Sequence, residues 1–371
     1  MSTRPIPRLL LLALPAASLA LGTACMPVPH TWEPVEEFPT RTARMIQPAP
    51  ADPEQLRVLT WNLKFAGART DFFFDGWGDR VHLTEREAQF HMDGILRVID
   101  ETEPDILLAQ EVDIGSTRSA YIDMVDIILQ NTHFNYAAWV PVWEVDYVPE
   151  EGLGRVEMGQ AVFSRWPIVR NTRIDLPQST ESSWLVNTFW LHRAVQLNEI
   201  DTGDRIISVS NNHPTAYALD GTKQEHLEII FDWSKEMFPP VIVGGDFNVI
   251  PPGSLQTEGF EDNAPADTPG VTEVSYTQEE MDALLPFYDT WDAAIPLEDY
   301  QVDTLEEQQR FLTHSVSGEV FWTQKLDYLF TDARWSGGWT LQSPGDGEPP
   351  LLSDPMQLSD HAPILAVLEL P

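Results

Sequence analysis

Six apolar, β-branched stretches of this chain stop or start on residues of one chemical kind: Asn62, Glu111, His213, Asp246 with Asn248, Asp327, and Asp360 with His361. One such residue decides nothing, because a strand-end Asp is ordinarily a turn former. A series drawn from the groups that bind hard cations or shuttle protons is hard to assign to turns alone. The chain must build sheets whose strand ends serve this series. Its last member, Ser359-Asp360-His361-Ala362-Pro363, stands against the final apolar run Ile364–Leu368. A carboxylate beside an imidazole is poor core material and good material for holding a phosphate, a metal and a water.

The pattern between these residues mixes strands and helices along the whole length. Leu56–Leu63 reads as a strand. Thr84-Glu85-Arg86-Glu87 has capping-box spacing, so a helix is expected from there to about Glu101, where Pro104 follows. Asp105–Ala109 is a buried strand, and a second helix is expected over about 118–131 from the spacing of Tyr121, Met124, Val125, Ile128 and Leu129. Strands are expected around 134–147 and 159–164, over Trp184–Asn198, over Ile206–His213 and over Val241–Asp246, with a helix at about 222–237. Residues 251–310 are rich in Pro, Asp, Glu and Gly, with a helical stretch near 277–285. Val320–Trp322 and Lys325–Phe330 read as a hairpin or adjacent strands. This alternation points to one α/β domain over 56–371.

The N-terminus is of another kind. Arg4 and Arg8 precede the apolar run Leu9–Leu21, then Gly22, Thr23, Ala24 and Cys25, the single cysteine of the chain. Residues 1–24 read as an export signal too short to span a bilayer. Cys25 falls where a bacterial lipoprotein signal places its lipid-bearing residue, which would tether the protein to a membrane. Residues 26–55 carry seven prolines and read as an extended tether. The 22 Lys+Arg stand against 58 Asp+Glu, a net charge of −36. Such a surface repels polyanions and disfavours non-specific binding to nucleic acid, which relies on Lys and Arg.

Hydrolysis of a phosphate ester needs charge neutralised on the phosphoryl oxygens, an activated water and a stabilised leaving group. The strand-end series supplies each. Hard cations such as Mg²⁺ take carboxylate and amide oxygens, and the lone Cys argues against a thiolate metal site.

The segments Trp61-Asn62, Gln110-Glu111, Gly159–Ile168, Asn211-Asn212-His213, Gly245-Asp246-Phe247-Asn248, Leu326-Asp327-Tyr328 and Ser359-Asp360-His361-Ala362-Pro363 occur in the order that resembles the endonuclease/exonuclease/phosphatase superfamily. The resemblance covers 56–371. It implies the deoxyribonuclease I-like fold, a four-layer α/β/β/α sandwich of two mixed β-sheets flanked by helices, with the site at one end. It implies Glu111 as the principal Mg²⁺ ligand (Mn²⁺ or Ca²⁺ in its place), Asn62 beside it and Asp360 touching the metal. His361 would be general base or phosphate-polarising imidazole, oriented by Asp327. Asp246 would orient or deprotonate the water, and Asn248 and His213 would hold phosphoryl oxygens.

The substrate is not implied. The aromatic segment 66–83 and the acidic 251–310 region fall outside these motifs and are where specificity would lie. Lys64 and Arg193 read as salt-bridge partners or as substrate-side cations. The expectation is a phosphodiesterase of lipid-like or small phosphoesters. An extracellular nuclease and a non-catalytic binding protein are the alternatives.

Overall fold

The computed structural model describes residues 30–73, 78–181, 187, 190–216, 218, 220–261 and 275–371. The export signal, Cys25 and parts of the 66–83, 184–198 and 251–310 segments lie outside them.

Two seven-stranded mixed sheets form the body. The first contains β1 (Val35–Glu37), β7 (Ile168–Asp175), β8 (Ala194–Asp201), β9 (Ile206–Asn212), β10 (Val241–Asp246), β12 (Asp327–Thr331) and β11 (Asp292–Ala293), in that spatial order. The second runs β13 (Arg334–Thr340), β14 (Ile364–Glu369), β3 (Gln55–Asn62), β4 (Ile106–Asp113), β6 (Gly154–Ser164), β5 (Tyr136–Val148) and β2 (Thr40–Thr42). Each sheet has one parallel pairing, β9 with β10 and β3 with β4.

The layers follow from the two-residue period of a strand. On β3, Leu56 and Val58 point between the sheets and meet Ile207, Val209, Ile242 and Leu329. Leu59 and Trp61 point outward, to Met92, Ile95 and Val98 of helix α1 (Glu85–Thr102) and Val125 and Ile128 of α2 (Met124–Asn131). On the opposite outer face, Val241, Val243 and Phe330 meet Leu227 and Ile230 of α3 (Thr222–Lys235). The result is the expected four-layer sandwich. Thr84 and Glu87 form the expected capping box on α1.

Topology explains why the strand-end residues converge. The parallel strands β3, β4, β9 and β10 finish at the same end. The antiparallel partners β12 and β14 begin there, with Asp246 opposite Asp327 and Ile364 opposite Thr60. Near this end the layer between the sheets turns polar. Asn211 Nδ2 donates to the Ala109 and Ala161 carbonyls, both at 3.1 Å, and Gln110 Nε2 donates to Asn211 Oδ1 at 2.7 Å. Gln160 Nε2 donates to the Asn211 carbonyl at 3.0 Å. This amide belt joins the two sheets directly behind the site.

Four expectations are corrected. The folded part begins upstream of Leu56: β1 pairs with β7 and β2 with β5, so two short pieces of the proline-rich segment are edge strand and not tether. Pro34 and Pro39 flank these strands at the sheet edges, where a missing N–H costs no central ladder bond. The second helix starts at Met124, capped by Asp123, because Arg118 is drawn into a buried ion pair with Asp113. Strand structure around 184–198 is confined, among described residues, to β8 from Ala194. Val320–Trp322 is not a strand, and β12 pairs instead with β10 and β11. Trp322 is buried, its Nε1 donating to the Gln342 carbonyl at 3.2 Å.

Asn211→Ala strips donors from two buried carbonyls and should lower the unfolding free energy by about 2–3 kcal/mol. The urea midpoint should fall without a change in slope. An unshifted midpoint would show that the belt contributes nothing.

Candidate active site

β10 delivers the centre of the site. Gly245 has φ +133°, and a Cβ there would lie 2.0 Å from the Asn212 carbonyl oxygen. Only glycine lets β10 run this close to β9 just before Asp246. The chain then turns: the Asn248 N–H donates to Asp246 Oδ1 at 2.9 Å, with Asn248 in the left-handed region at φ +53°. Asn tolerates that conformation well. Glu111 is also left-handed, at φ +54°, where the β4–β6 register slips between Ala109 and Val112. Glu rarely adopts it, so the bulge holds Glu111 in a strained pose that takes it out of the ladder.

His361 Nδ1 lies 2.8 Å from Asp327 Oδ2, and its Nε2 lies 3.5 Å from Asp246 Oδ2. Trp61 Nε1 donates to the His361 carbonyl at 2.8 Å, while the His361 N–H donates to Ser359 Oγ at 3.1 Å. The ring is therefore fixed from both sides. Burial opposes an imidazolium here, but the Asp327 and Asp246 carboxylates outweigh it and push the ring up to about 10. Asp246 is pushed up to about 7 by burial, with His361 pulling the other way. His213 Nε2 stands 3.3 Å from Asp246 Oδ2 and 3.9 Å from Glu111 Oε1. Burial holds this second imidazole well below its ordinary range, so it is a neutral donor.

Two of the expected metal ligands are engaged with neighbouring groups. Asn62 Oδ1 accepts from the Lys64 N–H at 3.0 Å. Its Nδ2 donates to Asp246 Oδ2 at 3.1 Å and Glu111 Oε1 at 3.3 Å, tying the two carboxylates together. Asp360 is paired with the buried Lys64 Nζ at 2.9 Å. Burial acts against the Asp360 carboxylate, yet Lys64, His361 and His314 keep it well below the usual range. Lys64 is thus a salt-bridge residue, one of the two roles expected for it.

Asn248, His213, Asp246, Glu111, Asp360 and His361 line one cleft, as does Arg193. Asn248 has its Nδ2 committed to the Pro214 carbonyl at 3.0 Å. Two residues were not legible beforehand. Thr313 Oγ accepts from the N–H groups of Leu326 and Asp327, at 3.0 and 3.2 Å, and so sets the start of β12. His314 packs against His361 with centroids 4.5 Å apart and planes inclined at 54°. Neither lies at a recognisable spacing from the residues it serves.

Asp246, Asp327 and His361 offer ligand atoms all within 4.8 Å of one another, close enough to hold a metal ion. Glu111 and Asp246 add an oxygen pair drawn toward one amide. An oxygen-rich, thiol-free set of this kind fits a hard divalent cation. Because Nδ1 of His361 is already engaged by Asp327, the Glu111 carboxylate, with Asp246 beside it, is the better seat.

The cleft has a volume of about 340 Å³ and extends from these groups to Trp143, Trp190, Met158 and Pro177. His226 on α3 clamps two of its walls: Nε2 donates to the Pro177 carbonyl at 2.6 Å and Nδ1 accepts from the Thr215 N–H at 3.2 Å. Burial pushes His226 down to about 4, against the Pro177 hydrogen bond. The unfolded chain then binds more protons between roughly pH 4 and 6.5, so stability rises with pH across that window. The contribution is on the order of 3 kcal/mol at neutral pH, lost as pH falls through about 4. Denaturation at a series of pH values should show this slope flattened in His226→Gln, and an unchanged slope would contradict the clamp.

The endonuclease/exonuclease/phosphatase family model matches residues 59–361. No curated protein matches the chain. Among solved structures, a humanized D. rerio TDP2 superposes with TM-score 0.52 at 11% identity, covering 86% of this chain and 100% of its own. An endonuclease/exonuclease/phosphatase family protein from Leptotrichia buccalis gives 0.51 at 14% identity, covering 85% and 100%. One from Bacteroides vulgatus gives 0.50 at 15% identity, covering 85% and 99%. At such identities these likenesses speak for the fold alone, and it is the sequence match over most of the chain that decides the family. With it and the site geometry together, the chain belongs to the endonuclease/exonuclease/phosphatase family, whose members are phosphoester hydrolases.

Proposed function

We propose that the protein is a Mg²⁺-dependent phosphoesterase, exported and held at a membrane through a lipid on Cys25, that acts on small or lipid-like phosphoesters. The observation that carries the catalytic part is the meeting of Glu111, Asp246 and the Asp327–His361 pair at one mouth of the sandwich. Export and anchoring rest on the N-terminal sequence, and the small substrate on the acidic surface and the modest cleft.

The raised affinity of His361 for its proton separates the roles. An imidazole near 10 is a cation at neutral pH. It therefore polarises a phosphoryl oxygen and stabilises charge developing in the transition state; it is not the base. Asp246, near 7, has the basicity to take a proton from the attacking water. His213, with Nε2 3.3 Å from Asp246 Oδ2, stands beside that carboxylate as a neutral imidazole. Asn248 lines the same cleft beside Asp246 and would offer its second amide N–H to a phosphoryl oxygen. Glu111, supported by Asn62, would hold the cation, which when bound neutralises the phosphate and favours departure of the alkoxide. The water oxygen joins phosphorus as its proton passes to Asp246, the ester P–O bond breaks, and the alkoxide leaves and takes a proton from solvent.

Purified protein should hydrolyse bis-p-nitrophenyl phosphate, lose the activity in EDTA and regain it with Mg²⁺. Glu111→Gln should lower the rate by about 10²–10³ while the fold is kept. The pH–rate profile should be a bell. Activity requires Asp246 ionised, so it rises with pH at or somewhat below about 7, since a cation beside it favours the carboxylate. It requires His361 protonated, so it falls near 10. Inactivity toward every ester in a phosphoester panel would overturn the proposal. Preferential plasmid nicking would replace it with the nuclease alternative.

A further inference from the structure

The far wall of the cleft is built with unusual care for a surface that nothing covers. Trp190 is 42% exposed, yet it stands on Trp143 with ring centroids 5.2 Å apart and planes inclined at 52°. Trp143 is buried and braced from behind. The Arg118 guanidinium lies 5.8 Å from its ring and is locked to Asp113 by hydrogen bonds of 3.0 and 3.1 Å. Both Arg118 and Asp113 are buried. Burying an ion pair is costly, so its placement under an aromatic wall calls for a reason. Asp113 stands on β4 two residues beyond Glu111, and both indoles line the cleft that also holds Glu111, Asp246 and His361.

Resting on the phosphoesterase reading above, we propose that Trp190, seated on Trp143, is the platform for a ring in the alcohol half of the substrate. The substrate class is then a small phosphoester of a cyclic alcohol, a sugar or a nucleoside, which presents a flat face to the indole. Both rings share this chemistry: a sugar offers its C–H face and a base its π face. A cleft of about 340 Å³ accommodates one such ring and its phosphate. Polar amides stand at the rim for ring substituents: Gln178 lines the cleft with its Nε2 held on the Asn187 carbonyl at 2.8 Å, leaving its oxygen as an acceptor.

The test is steady-state kinetics of the full chain with Mg²⁺ on glucose 6-phosphate, AMP, bis-p-nitrophenyl phosphate and the acyclic glycerol 3-phosphate. Ring-bearing esters should be preferred. In Trp190→Ala the kcat/KM ratio of ring over acyclic ester should fall about tenfold, through KM. Trp190→Phe should keep most of it. Because Trp190 is half outside, its removal leaves the core intact. Whether the drop appears with glucose 6-phosphate or with AMP identifies the ring as sugar or base. A ratio unchanged by Trp190→Ala, with wild-type turnover present, overturns the platform and upholds the hydrolase. Failure of the wild type to turn over any of these esters overturns both.

Discussion

Four carboxylates, Glu111, Asp246, Asp327 and Asp360, are crowded into one end of a sandwich, and much of the local structure exists to make that tolerable. Like charges brought together out of water must be neutralised, paired or partly protonated. Each solution is present. Asp360 is paired with buried Lys64 and Asp327 with the His361 imidazole. Asp246 is driven up toward neutrality, and Glu111 and Asp246 are bridged by the amide of Asn62. What is left over is negative charge at Glu111 and Asp246, beside a cationic ring. That imbalance is what a divalent cation and a phosphate would jointly satisfy.

The sheets are the means of assembling this cluster. No two of these carboxylates are sequence neighbours, and they span Glu111 to Asp360. Parallel pairing brings strand exits together, and antiparallel pairing brings the entrances of β12 and β14 to the same end. The amide belt around Asn211 then ties the two sheets where the cluster needs rigidity. Local strain is concentrated here as well: the left-handed Glu111 and Asn248, and the close approach at Gly245, all lie within this mouth. Such strain persists only where surrounding structure over-determines it.

Much of this was legible in the residues. The apolar, β-branched run of β3, the capping box at Thr84 and the polar strand ends pointed to an α/β fold and most of the cluster, and the four layers were implied by the family resemblance. What was not legible has physical causes. The edge strands β1 and β2 hide in a proline-rich segment because edges tolerate proline. The bridging of two carboxylates by Asn62 and the pairing of Asp360 with Lys64 were not legible, because they depend on which atom of an amide faces a neighbour and on the position of Lys64, neither of which spacing encodes. Thr313 and His314 come from a connection with no periodic signal. The identity of the base was open in sequence; burial pushes Asp246 toward neutrality while carboxylates hold His361 protonated, and this supports the proposed division of roles.

The account stands most directly on the Asp327–His361 pair, and the pH–rate profile of Asp327→Asn tests it. Removing that carboxylate removes the largest influence raising the imidazole's affinity for its proton, leaving burial to lower it. The alkaline limb should move from near 10 toward neutral pH, with a large fall in kcat and little change in KM. An alkaline limb that stays near 10, with kcat intact, would contradict the assignment of His361 as the charged group that Asp327 maintains.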